Sequence, residues 1–90
     1  MRTTLRIPRV LVDYTDGDDC LRIEGTTVAE LLGRLAQSHP RLYACLCDET
    51  GSVRKHIHLF VNNSLVTSDQ FDRRLEPVDT VHVFQAVSGG

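Results

Sequence analysis

Apolar and polar residues alternate with a period of two near both ends of the chain and follow a helical period between them. In Thr3-Thr4-Leu5-Arg6-Ile7-Pro8-Arg9-Val10, Leu5 and Ile7 point one way and Arg6 and Pro8 the other, which predicts a first strand. Pro8 has no N–H to give a ladder, so it belongs at the strand end or at a bulge. Tyr14 to Asp19, with Asp16-Gly17-Asp18 inside it, reads as a turn-rich loop. Cys20-Leu21-Arg22-Ile23-Glu24 then alternates again, and the two runs predict an opening β-hairpin with a broad turn.

After Gly25, Thr27 followed three residues later by Glu30 has the form of a capping box, so a helix is expected to start there. Val28, Leu31, Leu32, Leu35 and Ala36 fall on one apolar stripe. Ser38-His39-Pro40 ends the helix, because the residue before a proline is pushed out of the helical region. Arg41 to Leu46 reads as a short helical turn with Leu42 and Leu46 facing inward.

Beyond the polar loop Asp48 to Ser52, Ile57, Leu59 and Val61 alternate with His58, Phe60 and Asn62, a third strand. Asn62-Asn63 suits a tight turn into a short fourth strand, Ser64-Leu65-Val66. Ser68 to Leu75 is compatible with a helical turn capped by Ser68, and Glu76-Pro77-Val78-Asp79 delivers the chain to a last strand containing Thr80 to Phe84. The order is strand, strand, helix, strand, short strand, strand. It predicts an α+β roll in which a mixed sheet of four to five strands wraps one main helix, the order of a β-grasp or ubiquitin-like domain. Residues 1–87 are expected to form this domain and 88–90 a flexible tail.

Ninety residues make one domain with a modest core and no room for a large active-site cavity. A formal charge of −2 argues against nucleic-acid binding, which needs a clustered basic surface. Arg2, Arg6 and Arg9 read as solvated positions, offset by Asp13, Asp16, Asp18 and Asp19. No apolar run reaches the length of a membrane span and the first residues lack the apolar stretch of a signal peptide, so a cytoplasmic location without membrane attachment is expected. In a reducing compartment Cys20, Cys45 and Cys47 are expected to be small buried hydrophobes, since their spacing fits neither a disulfide framework nor a zinc site. His56 and His58 share a strand face without a third ligand nearby, so no metal is expected. Asp69 and Asp79 read as turn residues.

The candidate chemistry lies at the end of the sequence. The last strand runs into Val87-Ser88-Gly89-Gly90, which makes the carboxylate of Gly90 the group of interest. If Val81 and Val83 face the core, His82 and Phe84 face away from it, as do His58 and Phe60. Phe60, Phe84, Leu65 and Pro8 would then form an exposed apolar patch, the mark of a partner site.

Three stretches together resemble the MoaD/ThiS type of ubiquitin-like sulfur-carrier proteins: Thr27-Val28-Ala29-Glu30-Leu31-Leu32, Val61-Asn62-Asn63-Ser64-Leu65-Val66, and Asp79-Thr80-Val81 through Val87-Ser88-Gly89-Gly90. Ile7-Pro8 and Arg54-Lys55-His56 look closer to the CysO-like carriers within that family. The chain has Glu76-Pro77-Val78-Asp79 where many members place glycine-aspartate. It has Gln85-Ala86-Val87 where the MoaD proteins carry a proline-rich run, which weighs against a molybdopterin assignment.

The resemblance implies a protein co-substrate rather than an enzyme. An activating enzyme of the MoeB/ThiF type would use Mg-ATP to adenylate Gly90, and sulfide or a persulfide would displace AMP to leave a thiocarboxylate. A downstream biosynthetic enzyme would take the sulfur for cysteine or homocysteine, a secondary metabolite or molybdopterin, and a protease trims the C-terminus of some relatives. No cofactor is expected on the chain itself, since ATP and Mg belong to the activating partner. Gly89 and Gly90 lack Cβ atoms, which lets a tail thread a narrow channel. Val87, Ser88, Phe84, Phe60, Leu65 and Pro8 are the expected partner contacts. Two other readings use the same residues: a ubiquitin-like modifier conjugated through Gly90, and a β-grasp binding module whose tail has no chemistry.

Overall fold

A computed structural model describes residues 2–86 of the chain. Strands β1 (Arg2–Arg6) and β2 (Cys20–Glu24) form the opening hairpin, paired antiparallel from Arg2 opposite Glu24 to Arg6 opposite Cys20. The first strand is shorter than the alternation suggests. Pro8 (φ −70°, ψ 156°) cannot donate to a ladder, and its carbonyl instead accepts from the Leu11 N–H at 3.0 Å. That bond starts a 3-10 helix over Arg9–Thr15, so Arg9 and Val10 belong to the broad turn, and Val10 is left 68% exposed. Asp16 and Gly17 take positive φ (57° and 92°) to return the chain to β2.

Helix α1 (Val28–Ser38) begins where the Thr27 hydroxyl accepts from the Glu30 N–H at 3.1 Å. The return leg of the capping box is displaced by one residue: the Glu30 carboxylate takes the Thr26 hydroxyl at 3.0 Å and the Thr26 N–H at 3.4 Å. Val28, Leu31, Leu32 and Leu35 are buried on the predicted stripe, while Ala36 is only half-buried. Helix α2 (Pro40–Leu46) opens with proline in its first turn, where a missing N–H costs nothing, and buries Leu42 and Leu46. Arg41 lies over the Tyr14 ring, 5.4 Å from its centroid, joining α2 to the first 3-10 helix.

Strands β3 (Ile57–Val61), β4 (Ser64–Val66) and β5 (Thr80–Gln85) complete a five-stranded sheet in the order β2-β1-β5-β3-β4. The first and last strands lie parallel at its centre, and the other pairs are antiparallel. The segment before β5 is less helical than expected. Its only helical turn is Ser68–Gln70, and the cap is Thr67 rather than Ser68, because Thr67 forms a reciprocal capping box with Gln70. With α1 laid on one face of this mixed sheet, the architecture is a β-grasp, ubiquitin-like roll.

The core lies between α1, α2 and one face of the sheet, where Leu5, Leu21, Ile23, Ile57, Leu59, Val81 and Val83 are buried. Thr3 is the one polar strand residue in this layer, and its hydroxyl donates to the Gly25 carbonyl at 3.0 Å. Gly25 sits directly beneath the helix: a Cβ there would stand 3.0 Å from the Leu31 nitrogen and 3.2 Å from its Cα. No buried side-chain nitrogen or oxygen lacks a partner among the described residues.

Candidate apolar docking face

Because strand side chains alternate, burial of Leu59, Val81 and Val83 commits their neighbours to the opposite face of the sheet. The antiparallel register sets His58 opposite Phe84 and Phe60 opposite His82, and on the far side Phe60 stands opposite Leu65. Phenylalanine and histidine therefore form a checkerboard across β3 and β5. The Phe60 and Phe84 rings meet edge to face, with centroids 5.2 Å apart at 86°. His82 stacks on Phe84 at 6.2 Å and 19°. This packing half-buries Phe60, while Phe84 remains 51% and Leu65 50% exposed.

His58, Phe60, Leu65, His82 and Phe84, with Asn62 and Asn63 at one end, line a shallow open groove. Pro8 does not line it; it is half-buried as the cap of the first 3-10 helix. The two asparagines were legible in the sequence only as turn residues, and their place at the groove follows from the two-residue loop that brings Ser64 opposite Val61. An apolar groove this open suits a protein partner better than an enclosed small molecule.

The start of β5 is fixed by side-chain bonds. Asn62, at φ 56°, donates its side-chain amide to Asp79 Oδ1 at 2.9 Å and accepts from the Thr80 N–H at 3.1 Å. The Asn62 N–H donates to the Thr80 carbonyl at 2.8 Å, and Asp79 Oδ2 accepts from the Glu76 N–H at 2.8 Å. Asp79 is therefore a turn residue, as is Asp69, whose carboxylate accepts from the Thr67 hydroxyl. At the other end of β5, the Ala86 N–H donates to the His56 carbonyl at 2.8 Å, so the last described residue is still held beside the start of β3. The partner contacts expected at Val87 and Ser88, the reactive role expected of Gly89 and Gly90, and the expected boundary between domain and tail all fall on positions outside the described residues.

The three cysteines do not share one environment. Cys47 is buried as expected, but Cys45 is half-buried and Cys20 is exposed on the edge strand β2. Burial pushes the Cys47 thiol above its ordinary range, and its hydrogen bond with Tyr43 offsets this only in part. Among the described residues, no three His, Cys, Asp or Glu side chains come together as a metal site, and no helix is long and apolar enough to cross a membrane.

The sequence model of the ThiS family matches residues 10–90. Among solved structures, the fold superposes on a chain of the BexX/CysO complex of Amycolatopsis orientalis with a TM-score of 0.83 and 28% identity, covering 98% of this chain and 99% of that one. Mycobacterium tuberculosis CysO superposes with a TM-score of 0.81 and 23% identity, covering 94% of this chain and 99% of that one. SAMP1 of Haloferax volcanii gives 0.82 and 22% with both chains fully covered. At these lower identities the last two speak for the fold alone. Among curated proteins no sequence matches the chain.

Proposed function

The chain belongs to the ThiS family of ubiquitin-like sulfur carriers, and from that membership we propose that it carries sulfur as a thiocarboxylate on Gly90. The observation that carries this reading is that the family match runs through Gly90 itself and so includes Gly89-Gly90. A carboxylate is a poor acyl electrophile until one oxygen becomes a good leaving group. An ATP-dependent activating enzyme of the MoeB/ThiF type supplies that change: a carboxylate oxygen of Gly90 attacks the α-phosphorus, pyrophosphate leaves, and an acyl-adenylate forms. Hydrosulfide adds to the carbonyl carbon, the bond to the AMP oxygen breaks, and a proton is released as the thiocarboxylate forms. The carrier presents the acyl group and the activating enzyme supplies the catalysis.

The outer sheet face is the handle in this reading. Phe84 lies on the strand that leads to the tail, and Phe60 and Leu65 extend its apolar surface across β3 and β4. Val87 and Ser88 continue from the handle to the reactive residue and make the remaining partner contacts. That a chain so similar comes from a two-protein complex supports a carrier that works by docking. A downstream enzyme then accepts the sulfur, and the likeness to CysO-type chains favours an amino-acid or secondary-metabolite acceptor. Location in the cytoplasm, where ATP is available, fits the same chemistry.

Intact-mass spectrometry tests the proposal. Incubated with ATP, Mg, sulfide and the activating enzyme of the same organism, the full chain should gain the mass difference between one sulfur and one oxygen, localised to Gly90. A ladder of protein adducts would instead identify a modifier conjugated through Gly90. No mass change would leave a β-grasp binding module.

A further inference from the structure

The outer face of the sheet does not end at the aromatic cluster. Parallel pairing of β1 with β5 sets Arg6 beside His82, and the hairpin sets Cys20 beside Arg6. A single row therefore crosses all five strands as Leu65, Phe60, His82, Arg6 and Cys20. The outward positions of β1 and β2 add Arg2 and Arg22, both exposed, with Glu24 opposite Arg2. Half of the face is aromatic and half is cationic.

This distribution runs against the molecule as a whole. The chain has 12 acidic residues against 10 lysines and arginines, yet among the described residues Glu24 is the only acidic one in a strand, and the others lie on helices and loops. On the outward positions of β1 and β2 themselves, three arginines stand against one glutamate, while Asp13, Asp16, Asp18 and Asp19 are confined to the segment that joins the two strands. Arginine also keeps its charge at every physiological pH and pairs with carboxylates in a fixed forked geometry.

We propose that Arg6 and Arg22, with Arg2, form an electrostatic wing of the docking face that engages a carboxylate-bearing surface on the activating enzyme beside its apolar pocket. The inference rests on the carrier reading above and specifies the chemistry of the partner. Arg6 stands two strand spacings from Phe60, so the partner's acidic residues lie on the order of 10 Å from the pocket that takes the aromatic rings. An apolar contact alone leaves a flat face free to rotate about its centre. A charged wing on one side fixes the rotation, so the tail reaches the adenylating site in one orientation, and it accelerates encounter. A net charge of −2 makes nucleic acid the poorer fit for the same arginines.

The test follows initial rates of thiocarboxylation by intact mass, with the activating enzyme of the same organism, across a salt series. Wild-type kcat/KM should fall steeply with salt, Arg6→Gln/Arg22→Gln should lower it at low salt and flatten the dependence, and Arg6→Glu/Arg22→Glu should lower it about tenfold or more. In the unmutated protein, excess activating enzyme should slow alkylation of Cys20 several-fold, a readout independent of whether the variants fold. A salt-insensitive wild-type rate, undiminished turnover of the charge-reversed variant, or an unprotected Cys20 would each overturn the wing while leaving the carrier reading intact. Absence of any mass gain in the wild type would overturn both. Tighter binding of a single-stranded RNA oligonucleotide than of the activating enzyme at physiological salt would reassign the face and overturn the proposal.

Discussion

The two faces of the sheet are written in alternate letters of the same strands, yet they obey different chemistry. The inner face, with Leu5, Leu21, Ile23, Ile57, Leu59, Val81 and Val83, is almost wholly aliphatic and at most 8% exposed. The outer face carries phenylalanine, histidine and arginine, and it leaves Phe84 half in water. Aliphatic side chains fill a dry layer at high density without polar atoms to satisfy. Aromatic rings, imidazoles and guanidinium groups are poor filler for such a layer but suit a surface that alternates between water and a partner. The same five strands thus separate a stability problem from a recognition problem by parity alone.

The sharpest way to break this contrast is to attack each face in turn. On the inner face, Leu5→Ala should cost about 2–5 kcal/mol, because Leu5 is fully buried and the surrounding layer cannot collapse without moving α1. A denaturant melt reads this as a lower midpoint, and a loss below about 1 kcal/mol would mean the layer repacks freely. Gly25→Ala should cost about 1–3 kcal/mol, since the added methyl meets helix backbone rather than a movable side chain. Both variants should keep their transfer rate at temperatures where they remain folded.

On the outer face the outcome should invert. Phe84→Ala removes a ring that is half exposed, so stability should change by about 1 kcal/mol or less. Thiocarboxylation by the activating enzyme should nevertheless fall at least about tenfold if Phe84 is a central anchor. Unchanged transfer would sink the docking role. The smallest effect belongs to a group on neither face. The Thr50 hydroxyl, at 2.5 Å, and the Thr50 and Ser52 N–H groups hold the Asp48 carboxylate below its ordinary range. The folded form thus keeps the carboxylate ionised where the unfolded form begins to protonate. Its small contribution is complete above the unfolded value of 3.8 and is lost as pH falls through the lower folded value. An NMR titration of Asp48 with a midpoint at or above 3.8 would contradict this.

The contrast also explains how much could be read without coordinates. Period-two alternation marked Leu5, Leu59, Val81 and Val83 as inner and His82 and Phe84 as outer, and the helical stripe from Val28 to Leu35 was equally plain. What was not legible depended on pairing. That Arg6 stands beside His82 follows from the parallel contact between the first and last strands, a partnership no local window contains. Cys20, by contrast, is exposed by parity alone: it alternates with the buried Leu21 and Ile23 and so falls with Arg22 and Glu24 on the outer face, which the period-two pattern already contained. Pro8 misled in the opposite way: its missing N–H was recognised, but the 3-10 helix beyond it arises from a bond made by the proline's own carbonyl.

The bonds among Asn62, Asp79 and Thr80 act as a phase lock on the central strand. Side-chain parity in a strand has only two settings, so an error there is never graded. One residue inserted between Thr80, which the lock holds, and Val81 would turn the valines outward and drive His82 and Phe84 toward the helix, exchanging the chemistry of both faces at once. Two residues inserted together would restore parity and only lengthen the approach to the tail. Length variation at the junction of Thr80 and Val81 should therefore be tolerated in even steps and rejected in odd ones, which makes this short segment a counter as well as a connector.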